Sequence, residues 1–268
     1  MVYAKKIAIL FTILFILSIA AYSQKTAEKR EMLYFSGYEW YKRESNGYEG
    51  PGRNLFLAEN VWLDDKGQIH LKIRYIDGKW TCAETFTKEA FGYGDYYFFV
   101  RGRVDELDPN VVMGLFIYEN DKQEIDIEFA RWGYTSNPNA QYVVQPWYHR
   151  GNIHRFNMML GQENTTHLIS WRENSIYFKS WYGHCINPPD DWIIEEWTYY
   201  GDDNPLPDNE QVHINLWLYD KNGNGCGDAP SDGKEVEVVI TKFIFVPSHD
   251  KIVYRNSEKI EYVLKRIS

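Results

Sequence analysis

Glu124, Asp126 and Glu128 stand at strict two-residue intervals in NDKQEIDIEFARWGY, residues 120–134. Carboxyl groups so spaced can run acid, base or nucleophile chemistry, one attacking or accepting a proton while another donates. Cleaving a glycosidic bond with retention of configuration needs such a pair, about 5–5.5 Å apart across the scissile bond. The residues that alternate with them, Ile125, Ile127 and Phe129, are apolar. A β-strand puts positions i, i+2 and i+4 on one face, so three acids line one side and three hydrophobes the other. The bland alternative is an acidic edge strand, but a solvated face would mix signs, because like charges this close repel. At about 3.3 Å rise per residue, the Cα atoms of Glu124 and Glu128 lie roughly 13 Å apart. Two long side chains on a curved strand can close most of that gap. Asp126 then sits between them, placed to hydrogen-bond Glu124 and, through like-charge repulsion, to keep Glu128 protonated.

The elements that must hold this strand are also short and alternating. QIHLKIRYI, DYYFFVRGRV, VVMGLFIYE, AQYVVQPWY, THLISWRENSIYFKSW, VHINLWLY and EVEVVITKFIFV read as strands, separated by turn signals such as Asp77-Gly78 and Asp108-Pro109. Sustained helical periodicity is absent, except that the tail 249–268 fits a terminal helix or strand. The pattern predicts an all-β chain, an antiparallel β-sandwich of the jelly-roll, concanavalin A-like kind. No repeat or linker divides it.

Residues 1–23 read as a signal peptide, with Lys5 and Lys6 before the apolar run 7–21 and Ala21-Tyr22-Ser23 as a cleavage site. That leaves residues 24–268 as one domain, secreted or periplasmic; an uncleaved membrane anchor is the alternative. The net charge of −9 is a poor match for nucleic acid or anionic lipid, which are bound through Lys and Arg. Aromatic residues make up 17% of the chain, enough to fill a core and also to stack on sugar rings. Of the three cysteines, Cys82 lies in a strand pattern, whereas Cys185 and Cys226 lie in loop-like surroundings and could pair in an exported protein. DKNGNGCGD opens like a calcium loop at Asp220, but Ser231 stands where the bidentate Glu belongs, so a Gly-rich turn is the reading. The histidines form no zinc pattern and no metal site is assigned. Asn164-Thr165-Thr166 is a glycosylation sequon, relevant in a eukaryotic source.

EIDIEF resembles the active-site strand of the family 16 glycoside hydrolases, β-jelly-roll enzymes that cut β-1,3- and β-1,4-linked glucans and galactans. The similarity extends over residues 54–247, through TCAETFTKEAFGYG, THLISWRENSIYFKS, INLW and EVEVVITKFIFVP. It implies Glu124 as nucleophile, Asp126 as assisting carboxylate and Glu128 as acid/base. It further implies substrate contacts at Glu84, Asn215 and Trp217, and strand alternation adds Gln145 and Trp147, although Pro146 invites a register slip. Departures are Lys122 and Gln123, where relatives carry a Trp before the first Glu, and Arg131-Trp132, where they carry Leu-Gly. Thr241 replaces an Asp that is linked to structural calcium, and no cofactor is expected to be required. The expected function is a secreted, monomeric, retaining, endo-acting hydrolase of a β-linked polysaccharide, glucan before galactan. A transglycosylase on the same site and a non-catalytic glycan-binding protein are the alternatives.

Overall fold

The structure is a computed structural model that describes residues 30–248. The signal-like segment 1–23 and the tail 249–268 lie outside the described residues. Two antiparallel sheets make up the fold. The first runs in the order β1 (Met32–Phe35), β2 (Tyr38–Lys42), β6 (Ala83–Ala90), β15 (Gln211–Leu218), β8 (Val111–Asn120), β9 (Gln123–Ala130), β10 (Ala140–Val144) and β11 (Ile153–Phe156). The second runs β14 (Ile193–Tyr199), β13 (Ser175–Tyr182), β12 (Asn164–Arg172), β7 (Gly94–Arg101), β16 (Val236–Pro247), β4 (Ile69–Ile76) and β3 (Val61–Leu63), with β5 (Lys79–Thr81) paired to β4. Helical structure among the described residues is confined to three 3-10 turns, Ala58–Asn60, Val104–Glu106 and Asp190–Trp192. No helix among them is long and apolar enough to cross a membrane. The expected all-β sandwich is therefore what forms.

The two-residue period sorts each strand between the core and the outside. On β9, Ile125, Ile127 and Phe129 enter the core, and fully burying each contributes about 1.5–3 kcal/mol. On β7, Tyr96, Phe98 and Val100 point inward, while Tyr97 and Phe99 join Leu168 and Trp181 in a second cluster. Cys185 packs on that second cluster, and Cys226 sits in the loop after β15 beside Asn224. The Cys185–Cys226 pairing entertained from the sequence is corrected here: all three cysteines are free thiols, because these two belong to different surroundings. In the loop after β15, Asp220 accepts the backbone N–H groups of Asn224 and Gly225. Asp228 accepts those of Asn222 and its side-chain amide. The loop thus satisfies its own acids. Thr241 donates to the Phe99 carbonyl.

A polar chain crosses the core. The Tyr142 hydroxyl of the first sheet donates to Ser180 Oγ of the second at 2.8 Å; Ser180 meets His167 Nδ1 at 2.8 Å, and His167 Nε2 meets Thr165 Oγ1 at 2.8 Å. Burial pushes His167 down to about 3, and the nearby His184 adds to this. A histidine held neutral stabilises the fold fully above its unfolded value, about 6.5. That contribution is lost as pH falls from about 6.5 toward 3, where the unfolded chain takes a proton that the folded one refuses. His167→Gln should flatten this part of the pH–stability curve, measured as the denaturant midpoint from pH 7 to 3.5. A wild-type and variant difference that does not change with pH would contradict it.

Candidate active site

β9 sits between β8 and β10, and the register decides what each acid touches. Glu124 lies opposite Tyr118, Asp126 opposite Phe116 and Val143, and Glu128 opposite Gly114 and Gln141. Asp126 thus has an apolar neighbour on either side, which strips it of water; it is 3% exposed. Glu124 and Glu128 remain half-buried. The cis Pro146 does not slip the register: Gln145 N–H still donates to the Glu124 carbonyl at 3.0 Å. Gln145 Nε2 donates to Asp126 Oδ2 at 3.2 Å, and Gln145 Oε1 accepts the Trp147 N–H at 2.9 Å. Gln141 Nε2 donates to Glu128 Oε2 at 2.7 Å, and Arg155 Nε on β11 fixes Gln141 by donating to its Oε1 at 3.0 Å.

Burial is the largest influence on all three carboxyls and drives every one upward. Glu128 is pushed up to about 7, with the Gln141 hydrogen bond and the Arg155 charge pulling against burial. Glu124 is pushed up to about 8 by burial and by the charge of Glu128, against the hydrogen bond from Asp126. Asp126 is held well above the ordinary range by burial and by its two neighbours. Such a triplet titrates as one set. Asp126 keeps its proton and offers it to Glu124, which favours the Glu124 anion without overcoming the effect of burial. This revises the role read from the sequence. A protonated Asp126 does not raise Glu128 by charge; burial does that, and Asp126 acts by hydrogen bonding to Glu124.

The other expected residues fall in different places. Glu84, on β6 opposite Asn215, is 4% exposed, and both its oxygens are taken. Oε1 meets His213 Nδ1 at 2.8 Å, and Oε2 accepts Arg43 Nη1 at 2.6 Å. Asn215 shares the outward face of β15 with His213, and its Oδ1 is buried without a partner. That atom faces Gly114, where an added Cβ would come within 2.6 Å of it. Trp217 is 6% exposed, beneath Gly52 and beside Trp132. Its ring is enclosed by protein, unlike the substrate contact expected of it. Trp147 is 57% exposed, and its backbone N–H is tied through Gln145 to Asp126. Arg131 donates to the carbonyls of Thr135 and Asn137 and shapes a turn.

Sequence reasoning passed over Gln141, Arg155, His213 and Arg43. Gln141 is four residues before Gln145 on the same strand face, and His213 two before Asn215, so alternation could have found both. Arg43 and Arg155 reach the site only through strand pairing. Among the described residues no group of His, Cys, Asp and Glu is arranged to hold a metal ion.

By sequence, no family model and no curated protein matches the chain. Among solved structures, the Bacillus licheniformis β-glucanase is similar at a TM-score of 0.59 and 17% identity, over 83% of this chain and 100% of that one. A prokaryotic β-1,3-1,4-glucanase (lichenase) derived from a mouse hindgut metagenome gives 0.57 and 22%, over 82% and 99%. A Bacteroides ovatus family 16 glycoside hydrolase from a mixed-linkage-glucan locus, solved in complex with its product, gives 0.54 and 16%, over 77% and 94%. The chain therefore carries the β-sandwich fold found in the family 16 glycoside hydrolases.

Proposed function

We infer that the chain is an exported glycoside hydrolase that cleaves a β-linked glucan with retention of configuration. The observation that carries this reading is the division of labour among the three acids of β9. Glu128 keeps its proton up to about pH 7, as an acid for the leaving oxygen must. Glu124 receives the hydrogen bond from Asp126, which favours its anion against the burial and the Glu128 charge that push it up to about 8. The attacking form is the member of the coupled set in which Glu124 has lost its proton while Glu128 keeps one. Glu124 attacks the anomeric carbon while Glu128 protonates the departing glycosidic oxygen, leaving a glycosyl ester on Glu124. Glu128, now a carboxylate, takes a proton from water, which displaces Glu124 and restores both groups. The fold, shared with structures named as β-glucanases, supports glucan as the substrate class. The leader-like residues 1–23 support export.

Glu124→Ala and Glu128→Ala should each lower turnover at least about a hundredfold on barley β-glucan or laminarin. Azide should rescue the first as the inverted glycosyl azide and the second as the retained one. Binding of glucan without any reducing-end release by the wild type would instead make the chain a glycan-binding protein.

The pH–rate profile should report who controls Glu128. Arg155 favours the Glu128 anion, so Arg155→Met should move the upper limb of kcat/KM to higher pH. Asp126→Asn should leave that limb in place and lower the rate. A shift of the limb toward acid in Asp126→Asn would restore the charge role for Asp126.

The same burial has a price in stability. Carboxyls raised above their unfolded values stabilise the fold fully below about pH 4. That contribution is lost as pH rises through 7 and 8, the range reached by Glu128 and Glu124. Asp126→Asn should therefore melt a few degrees higher than wild type at pH 8, with a smaller difference at pH 5. An equal or lower melting temperature at pH 8 would count against a strained triplet.

A further inference from the structure

Residues 147–151, the turn that follows the cis Pro146, are all exposed. Trp147 meets Tyr148 edge-on at 5.9 Å and Tyr148 meets His149 at 5.0 Å, but these rings lie outside the core. Apolar burial therefore does little to fix this turn, and polar contacts must. Within the turn, the Pro146 carbonyl accepts the His149 N–H at 3.1 Å, and the Asn152 N–H donates to the His149 carbonyl at 3.2 Å. From the loop after β14, in the second sheet, Asp203 reaches across to the same turn. Its Oδ2 accepts Asn152 Nδ2 at 2.9 Å and lies 2.8 Å from His149 Nδ1. These two contacts hold the Asp203 carboxyl below the ordinary range. As an anion it has no proton to give, so the His149 ring donates from Nδ1, whether neutral or charged. Asn152 is the centre of the clamp: it is buried, and its amide also donates to the Pro146 carbonyl at 3.2 Å, one residue from Gln145.

Asp203 is itself fixed by the second sheet. Its N–H donates to the Tyr199 hydroxyl at 3.2 Å. Its neighbour Asn204 accepts Trp171 Nε1 at 3.0 Å and donates to the Arg172 carbonyl at 2.9 Å. The clamp thus ties the turn between β10 and β11 to β12 and β14. What the turn does with that support is set by one donor. The Trp147 N–H bonds the amide oxygen of Gln145 at 2.9 Å. A backbone donor there holds the oxygen to that side, so Nε2 is the atom that meets Asp126 Oδ2, at 3.2 Å. Oδ2 thereby receives a proton donor, and the proton that Asp126 keeps belongs on its other oxygen, available to Glu124. Burial and the charges of Glu128, Asp121 and Glu84 all disfavour the Glu124 anion, and the Asp126 hydrogen bond favours it. A turn free to drift would let Gln145 rotate its amide or leave Asp126, and that support would go with it.

We propose that Asp203, acting through Asn152 and His149, is a positioning residue of the reaction: it holds the turn whose Trp147 N–H orients Gln145 against Asp126. The assignment rests on the glucan-hydrolase reading and adds a residue carried by the second sheet to the control of the acid strand.

The test is a double-mutant cycle on the full chain, with barley β-glucan or laminarin, whichever the wild type hydrolyses faster. Asp203→Leu removes the acceptor at similar volume, and Gln145→Met removes the donor to Asp126. Each should lower kcat about tenfold with KM near the wild-type value, and the double variant should be no slower than Gln145→Met alone. Asp203→Asn, which keeps an amide oxygen for Asn152 and His149, should retain most of the rate. His149→Leu, at an exposed position, should cost less than Asp203→Leu, because Asn152 still reaches Asp203. It supplies the same cycle if Asp203→Leu does not fold. Losses that multiply in the double variant would make the clamp merely structural and overturn the assignment. A rate unchanged by Asp203→Leu, or a change confined to KM, would overturn it too. Wild-type protein that releases no reducing ends from either glucan would overturn the glucan reading itself, and this assignment with it.

Discussion

The whole site depends on the pleat of one strand. β9 must put Ile125, Ile127 and Phe129 into hydrocarbon and, at the same residues' midpoints, present Glu124, Asp126 and Glu128 on the other side. A slip of one residue would exchange the two sets and bury three carboxyls in the core. The apolar half of the strand is thus what keeps the acidic half in register. The pairing of β9 with both β8 and β10 fixes the strand's position, and the two sheets exist in part to hold that central location.

The neighbours of β9 are unlike on its two sides. β10 and β11 supply amides and a guanidinium, Gln141, Gln145 and Arg155, which reach the acids or one another by hydrogen bonds. β8 supplies Phe116 and Tyr118 and no hydrogen-bond donor to the triplet among the described residues. Protons are therefore managed from one flank and dielectric from the other. In a low-dielectric setting a hydrogen bond to an ion is worth more than in water, and an unpaired ion costs more. That combination lets similar side chains take different protonation states only two residues apart.

How far the sequence reached can be judged residue by residue. The jelly-roll class and the acid strand were legible because both are written in a period of two, which survives whatever the rest of the chain does. Gln145 was legible for the same reason, and Gln141 and His213 were equally within reach of it. Trp217 was named as a substrate contact from the resemblance, which gives a strand position and says nothing of what covers it; here Gly52, from a distant turn, lies over the ring. Glu84 was placed on the proper face, but its engagement by Arg43 depends on β2 lying beside β6, a pairing 41 residues apart in sequence. The role of Asp126 needed the burial imposed by Phe116 and Val143, which no local pattern carries.

Gly114 has a consequence for anyone reshaping this chain. A glycine inside a strand ordinarily weakens it by roughly 0.5–1 kcal/mol relative to alanine, which marks it as an early target when thermal tolerance is selected. Gly114 lies between Glu128 on one neighbouring strand and Asn215 on the other. A single added methyl there would press on the unpartnered oxygen of Asn215. Selection for heat resistance thus favours a methyl at the one position where it crowds the Asn215 amide, and a library that rewards stability alone will tend to fill the space beside Glu128.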